Sequence, residues 1–225
     1  CAASMIATPV LFAGSERLLI PRFGKPPQPR YDTIVSDESP VIICGFGRMG
    51  QIVGRVLAMH GIGFTALEQD AGQVDVVRRF GGKVYFGDPT RPDVLRAAGA
   101  AQARLLIVAL QDMEAVLRTV EIARQTFPHL TVLSRARNRR HAHLLMDRQV
   151  DGFVRDTFHS SLRLAELSLT ALGIAPAEAS HAVDLFREHD ERNLVNTHHI
   201  YRDEKQLIQS ARDAADELTS LFEAC

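Results

Sequence analysis

Val41-Ile42-Ile43-Cys44-Gly45-Phe46-Gly47-Arg48-Met49-Gly50 decides the fold of this chain: an apolar run of strand length enters Gly-x-Gly-x-x-Gly and opens a helix. Gly45 permits the tight turn, Gly47 lets the backbone approach a pyrophosphate with no side chain in the way, and Gly50 allows close helix–strand packing. The phosphates are expected on the N–H groups at the helix start, near Arg48 and Met49, where the helix dipole favours negative charge. Gly-x-Gly-x-x-Gly alone is a weak signal, but here it stands in its required context. Glu68 follows at the end of the next strand run, where an acid can accept hydrogen bonds from ribose hydroxyls; taken by itself it also reads as a solvated loop acid. A carboxylate there repels a 2′-phosphate, so NAD(H) or an adenine mononucleotide is favoured over NADP(H).

The same alternation continues downstream. The pattern predicts strands at Val41–Cys44, Gly63–Leu67, Lys83–Phe86, Leu105–Leu110, Thr131–Ser134 and Phe153–Val154. It predicts helices at Arg48–His60, Gln73–Phe80, Arg91–Ala98, Glu114–Thr126 and His141–Arg148, with Ile52, Val56 and Met59 sharing one face of the first. Repeated βα units imply an α/β fold, a Rossmann-type doubly wound parallel sheet that binds ligands outside the carboxyl ends of its strands. After Val154 the strand signal stops. Asp156 or Thr157 can cap a helix whose Phe158, Leu162, Ala165, Leu169 and Leu172 form a seam, widened by Leu164, Leu167 and Ala171 and ended by Gly173. A helix this apolar needs cover on both sides, one face on the flank of the sheet and the other on a second subunit. Pro176 opens another helix, and Gln206–Ala224 reads as an amphipathic acidic tail.

Upstream, Pro26, Pro27 and Pro29 and the polar residues after them mark an extended connector over 21–39. Cys1 to Gly14 carries no charge and is followed by Glu16, Arg17, Arg22, Lys25 and Arg30. We read 1–20 as the end of a membrane helix with its basic flank on the cytoplasmic side, the alternatives being a signal-peptide remnant or a packed N-terminal helix. The Rossmann unit then occupies 40–155, and 156–225 is a helical dimerisation region and tail.

The composition restricts function. With 225 residues and a formal net charge of −1, the chain has no global pull toward nucleic acid, and the aromatics that would stack bases do not interleave its basic residues. Three scattered cysteines make neither a disulfide framework nor a metal motif, and Cys44 reads as a small buried hydrophobe. Gly87-Asp88-Pro89-Thr90 ends the third strand on the ligand rim, where Asp88 either bonds the adenine side of a ligand or joins Thr90 in capping the next helix. Arg135, Arg137, Arg139 and Arg140 begin at the end of the fifth strand, to bind an anionic ligand or a facing acidic surface, or as a solvated helix start. His141 and His143, like His198 and His199, are spaced wrongly for a metal face, and no set of acid, base and nucleophile can be assembled. A binding module is therefore expected rather than an enzyme.

Ser4-Met5-Ile6-Ala7-Thr8-Pro9-Val10-Leu11, the connector, the segment Val41 to Gln51, Gly87-Asp88-Pro89-Thr90-Arg91 and Phe127-Pro128-His129-Leu130 resemble the glutathione-regulated potassium-efflux family of bacterial cation/proton antiporters. The likeness runs from the first residues to about Arg187. It implies a membrane transport domain of the same polypeptide in the bacterial inner membrane, exchanging potassium for protons. It further implies a cytoplasmic homodimeric regulatory domain that binds NAD(H) or AMP and is dimerised through the helix after Thr157. Gly45, Gly47, Arg48, Met49 and Gly50 match the family's phosphate loop, Glu68 its acidic ribose ligand, and Asp88 and Thr90 its Gly-Asp-x-Thr element. Glu68 replaces the commoner aspartate. Glu188-His189-Asp190 is more charged than the family pattern, which weakens the expectation that glutathione or a glutathione adduct is a further ligand. The function expected is ligand-controlled gating of potassium transport. Two rivals are a small NAD-dependent oxidoreductase, if a substrate pocket forms after Val154, and a soluble TrkA-like subunit that docks on a separate channel.

Overall fold

Ile42 and Cys44 point to one side of the first strand and Val41 and Ile43 to the other, and all four are buried, so this strand must lie inside a sheet covered on both faces. The computed structural model, which describes residues 39–79 and 84–223, builds that sheet from six parallel strands. They are β1 Val41–Cys44, β2 Phe64–Glu68, β3 Val84–Phe86, β4 Leu105–Val108, β5 Thr131–Ala136 and β6 Gly152–Arg155. The spatial order is β3-β2-β1-β4-β5-β6, with Val41 opposite Phe64 on one side and Leu105 on the other. Between β1 and β4 the winding reverses, and a crevice opens at their carboxyl ends.

Helices α1 Arg48–Met59, α2 Ala71–Arg79, α3 Pro92–Ala97, α4 Met113–Thr126 and α5 Arg139–Asp147 cover the two faces. One core layer gathers Ile42, Cys44, Leu106, Val108 and Val132 with Leu95 of α3, Val116 and Val120 of α4 and Leu145 of α5. The other gathers Val41, Ile43, Ala66 and Val84 with Val74 of α2 and, at its edge, Val53 and Leu57 of α1. Each such branched side chain contributes roughly 1.5–3 kcal/mol when fully buried. Polar caps fix two of the helices: Asp112 accepts from the Ala115 amide at 2.8 Å, and Asn138 from the His141 amide at 2.8 Å.

Ile52, Val56 and Met59 share a face of α1 as the spacing predicts, and it is the outer one, 57%, 52% and 85% exposed. The face toward the sheet is made close-fitting by Gly54, where an added Cβ would meet Phe64 at 2.9 Å and Phe46 at 3.0 Å. The helix α6, Phe158–Ala171, buries none of its residues and packs on α7, Pro176–Asn196, rather than on the flank of the sheet. The reason lies in α7, which opens on Pro176 and turns Ala182, Val183 and Phe186 toward the seam of Phe158, Leu162, Ala165 and Leu169 across a cavity of about 660 Å³. Leu164, Leu167 and Leu172 remain on the open side, 66%, 51% and 82% exposed. Thr157 stands at the N-cap of α6 with φ +60° and no side-chain cap, and Asp156, the other expected cap, is paired with Arg135.

Leu194 of α7 reaches the main core, and Asp190 receives Arg139 and, at 2.5 Å, Arg155. A short 3₁₀ turn, His198–Ile200, leads into α8, Glu204–Glu223, whose Glu217 lies 3.3 Å from His189 of α7. No helix among the described residues is long and apolar enough to cross a membrane. The expected membrane-helix end over 1–20, most of the connector over 21–39, and Phe80, Lys83 and Ala224 lie outside the described residues.

Candidate functional site

The turn after β1 is shaped by contacts that only glycine allows. Gly45 has φ +90° and donates its N–H to the Leu67 carbonyl at 2.8 Å; a Cβ there would stand 2.9 Å from the backbone of Ala109 and Leu110. Gly50, one helical turn in, is tighter still, since its Cβ would stand 2.2 Å from the Gly45 carbonyl oxygen. Gly47 differs. The nearest atoms to a Cβ there are the side-chain nitrogens of Gln73 at 3.5 Å and Gln111 at 3.9 Å, ordinary contacts with no backbone in the way. It is also the N-cap of α1, with no side-chain cap, and no acid lies in the first turn. Among the described residues the start of α1 therefore has no side-chain cap, and Gly47, Arg48 and Met49 line the cleft, the arrangement that receives an anion.

The crevice is a cleft of about 820 Å³ walled by the turn, by the ends of β2 and β4 and by the segment after β6. Ligand pockets commonly hold roughly 300–1,000 Å³. The structure brings Gly45, Gly47, Arg48, Met49 and Glu68 together along this wall. Gly50 sits beneath the loop rather than on its surface. Of the arginines lining the cleft, Arg48 alone has no carboxylate partner among the described residues; Arg135 and Arg155 are paired with Asp156 and Asp190.

Glu68 is 9% exposed and held from three sides. Its Oε2 accepts from the Phe46 amide at 2.7 Å, and its Oε1 accepts from the amides of Gln69 at 2.8 Å and Asp70 at 3.0 Å. This carboxylate thus ties the glycine turn to the end of β2. The Phe46 carbonyl is fixed in turn by the side-chain amides of Gln51 and Gln73, each at 3.1 Å. Asp88 and Thr90 do not line the cleft. Asp88 Oδ1 accepts from the Thr90 amide at 2.9 Å and the Thr90 hydroxyl at 2.7 Å, closing a turn after β3, and Gln69 Nε2 donates to the same oxygen. The N-cap of α3 is Arg91, so Asp88 and Thr90 shape the turn before the helix rather than cap it.

The arginine cluster disperses. Arg135 binds Asp156 through Nε at 2.7 Å and Nη2 at 2.5 Å and donates to the Leu110 carbonyl at 3.3 Å, which locks the far wall of the cleft. Arg139 turns to Asp190 and Asn193 of α7. Cys44 is fully buried, and burial pushes its thiol well above the ordinary range, which leaves it inert. Burial likewise lowers His141, whose Nδ1 accepts from the Arg137 amide at 3.1 Å. Among the described residues no three ligands are placed to hold a metal ion.

Sequence reasoning passed over Gln69, Gln73, Gln111, Asp112, Asp156 and His159, all on the cleft wall. Most follow the carboxyl ends of β2, β4 or β6, so the rule that located Glu68 also marks their positions. What it lacked was a chemical signature, because amide side chains occur in every loop.

The TrkA-N domain family matches residues 41–155, and the potassium efflux system KefB C-terminal domain family matches residues 160–224. Among solved structures, a Shewanella denitrificans Kef C-terminal domain in AMP-bound form is 38% identical with a TM-score of 0.66, over 72% of this chain and 98% of that one. The TrkA-N domain of inner membrane protein ybaL from Escherichia coli is 21% identical (TM-score 0.53; 58% and 98% covered), and the GsuK channel bound to NAD is 19% identical (TM-score 0.54; 69% and 29% covered). These last two share the fold. With the glycine-turn geometry in place, with one domain family spanning the sheet and a second the helices after it, the chain belongs to the TrkA-N family and is a Kef-type regulatory domain of a potassium efflux system.

Proposed function

We propose that the cleft binds an adenine nucleotide, AMP or NAD(H), as a regulatory ligand. Gly45, Gly47, Arg48, Met49 and Gly50 form the phosphate loop, with the phosphate on the first amides of α1 and Arg48 beside it. Glu68 receives the ribose. The observation that carries this reading is Gly47, with no side chain of its own at an uncapped helix start, on the same cleft wall as Glu68. Three amides occupy Glu68, and a carboxylate has about four acceptor sites, so one remains for a sugar hydroxyl. Asp88 and Thr90 act from one step away, through Gln69, on the adenine side of the rim.

Nucleotide occupancy then shifts the domain between two arrangements by its differential affinity for them. The work is binding rather than catalysis, since Arg135 and Asp156 are spent on each other and Glu68 on the loop. The chain divides into a membrane-helix end over 1–20, a linker over 21–39, the nucleotide unit over 40–155 and a helical dimerisation region and tail over 156–225. Residues 156–225 dimerise on the apolar face of α6, where Leu164, Leu167 and Leu172 stand uncovered. The domain lies on the cytoplasmic side of a bacterial inner membrane and controls exchange of potassium for protons by the transport domain of the same polypeptide.

Potassium efflux from vesicles holding the whole transporter tests this. Efflux should change with AMP or NADH, and a glutathione adduct supplied as a separate arm shows whether a second anionic ligand contributes. Flux indifferent to every nucleotide would contradict gating.

A further inference from the structure

Outside the cleft, the seam between α5 and the turn that leads to α8 holds an unusual concentration of titratable rings. His143 of α5 is 3% exposed and lies against both His198 and Tyr201, its ring 5.5 Å from the first and 4.9 Å from the second, each at 17°. His198 and Tyr201 are themselves stacked at 1° with centroids 5.6 Å apart. The Nδ1 atoms of the two histidines face each other at 3.4 Å. Asp147, one turn beyond His143, closes the other side: it accepts from Tyr201 and, at 2.7 Å, from Arg202, and lies 3.4 Å from His198 Nε2. Arg202 also donates to the Tyr201 hydroxyl at 2.9 Å.

Two facing imidazole nitrogens make a hydrogen bond only while one of them lacks a proton. With both protonated, two donors and two like charges meet across 3.4 Å. We propose that the His143–His198–Tyr201 stack is a proton-released latch, which holds the turn 198–203 to α5 and lets it go when the imidazole pair is fully protonated. Because α7 and α8 meet at this turn, release loosens the hold of the nucleotide unit on the C-terminal helices.

The charged groups acting on His143 are His198 from the turn and Arg139 and Asp147 from its own helix; Asp147 favours the charged ring. Burial, His198 and Arg139 oppose it and hold the imidazole down to about 4. A freed histidine titrates near 6.5, as its ordinary value requires. Opening therefore takes up a proton between those two values. The latch is closed most firmly above about pH 6.5, and its opening constant rises as pH falls, approaching tenfold per unit before levelling off below about pH 4.

Amide hydrogen exchange of the full 225-residue chain, corrected for the intrinsic pH dependence, reads this directly. Protection over residues 198–203 should drop roughly tenfold between pH 7.5 and 5.5. His143→Phe keeps an aromatic ring in the stack and removes its proton, so the drop should vanish in that variant. His189→Gln, at the separate contact with Glu217, should keep it. An equal drop in the native chain and in His143→Phe would overturn the proposal, as would no drop in the native chain. Proton NMR gives an independent check, since a His143 ring that titrates near 6.5 in the folded chain would also overturn it.

Discussion

Gly50→Ala should lower the stability of this domain and abolish nucleotide binding together. The added Cβ would lie 2.2 Å from the Gly45 carbonyl oxygen, far inside contact distance, and that oxygen belongs to backbone with no rotamer to give way. Either α1 tilts off β1 or the glycine turn opens. Overpacking of this kind costs about 3 kcal/mol at the upper end of its usual range. For a chain of this size that is roughly 6–12 °C in the unfolding midpoint. Calorimetry measures the midpoint and titration with AMP the binding. A variant that melts like the parent would mean that helix and turn are not held as close as described.

Glu68→Gln should act differently on two readouts. The carboxylate accepts three backbone N–H groups, and an amide can satisfy at most the two on one side. If its oxygen takes the Gln69 and Asp70 amides, its NH₂ faces the Phe46 N–H, donor against donor. Leaving that amide unsatisfied costs about 1–3 kcal/mol. The same change removes the charge that repels a 2′-phosphate, so the ratio of NADPH to NADH affinity should rise even as adenine nucleotides bind more weakly overall. Chemical denaturation gives the first quantity and competitive titration the second. Unchanged discrimination would remove Glu68 from the ribose site and leave it a loop brace.

The contrast between these residues shows what sequence can and cannot carry. The parallel sheet and the position of its crevice were legible from the glycine turn and the alternation of apolar runs, because both depend on local chemistry repeated along the chain. Glu68 was legible as an acid at the end of β2. Its engagement by three amides was not, since that depends on Phe46 being 22 residues away in sequence and adjacent in space. Which face of α1 meets the sheet was not legible for a related reason: periodicity places Ile52, Val56 and Met59 together, but Gly50 and Gly54 decide which side approaches the sheet. In α6, apolar residues ring the helix, so its partner was fixed by the fold-back of α7 and could not be read from α6 itself. Asp88 and Thr90 were found by motif, yet their turn keeps them off the cleft wall, with Gln69 as the link.

The central claim is that bare backbone at the start of α1 receives a phosphate, and Gly47 isolates it. A Cβ there meets nothing closer than 3.5 Å and the backbone is ordinary extended chain, so Gly47→Val should fold, losing about 1 kcal/mol through the poorer N-cap. Its methyl groups would nonetheless occupy the phosphate position. Isothermal titration with AMP, at a temperature where both proteins are folded, should therefore give saturable binding to the parent and affinity weaker by about tenfold or more, 1.4 kcal/mol, in Gly47→Val. Equal affinity in the two proteins, or no binding to the parent at millimolar AMP, would contradict the account.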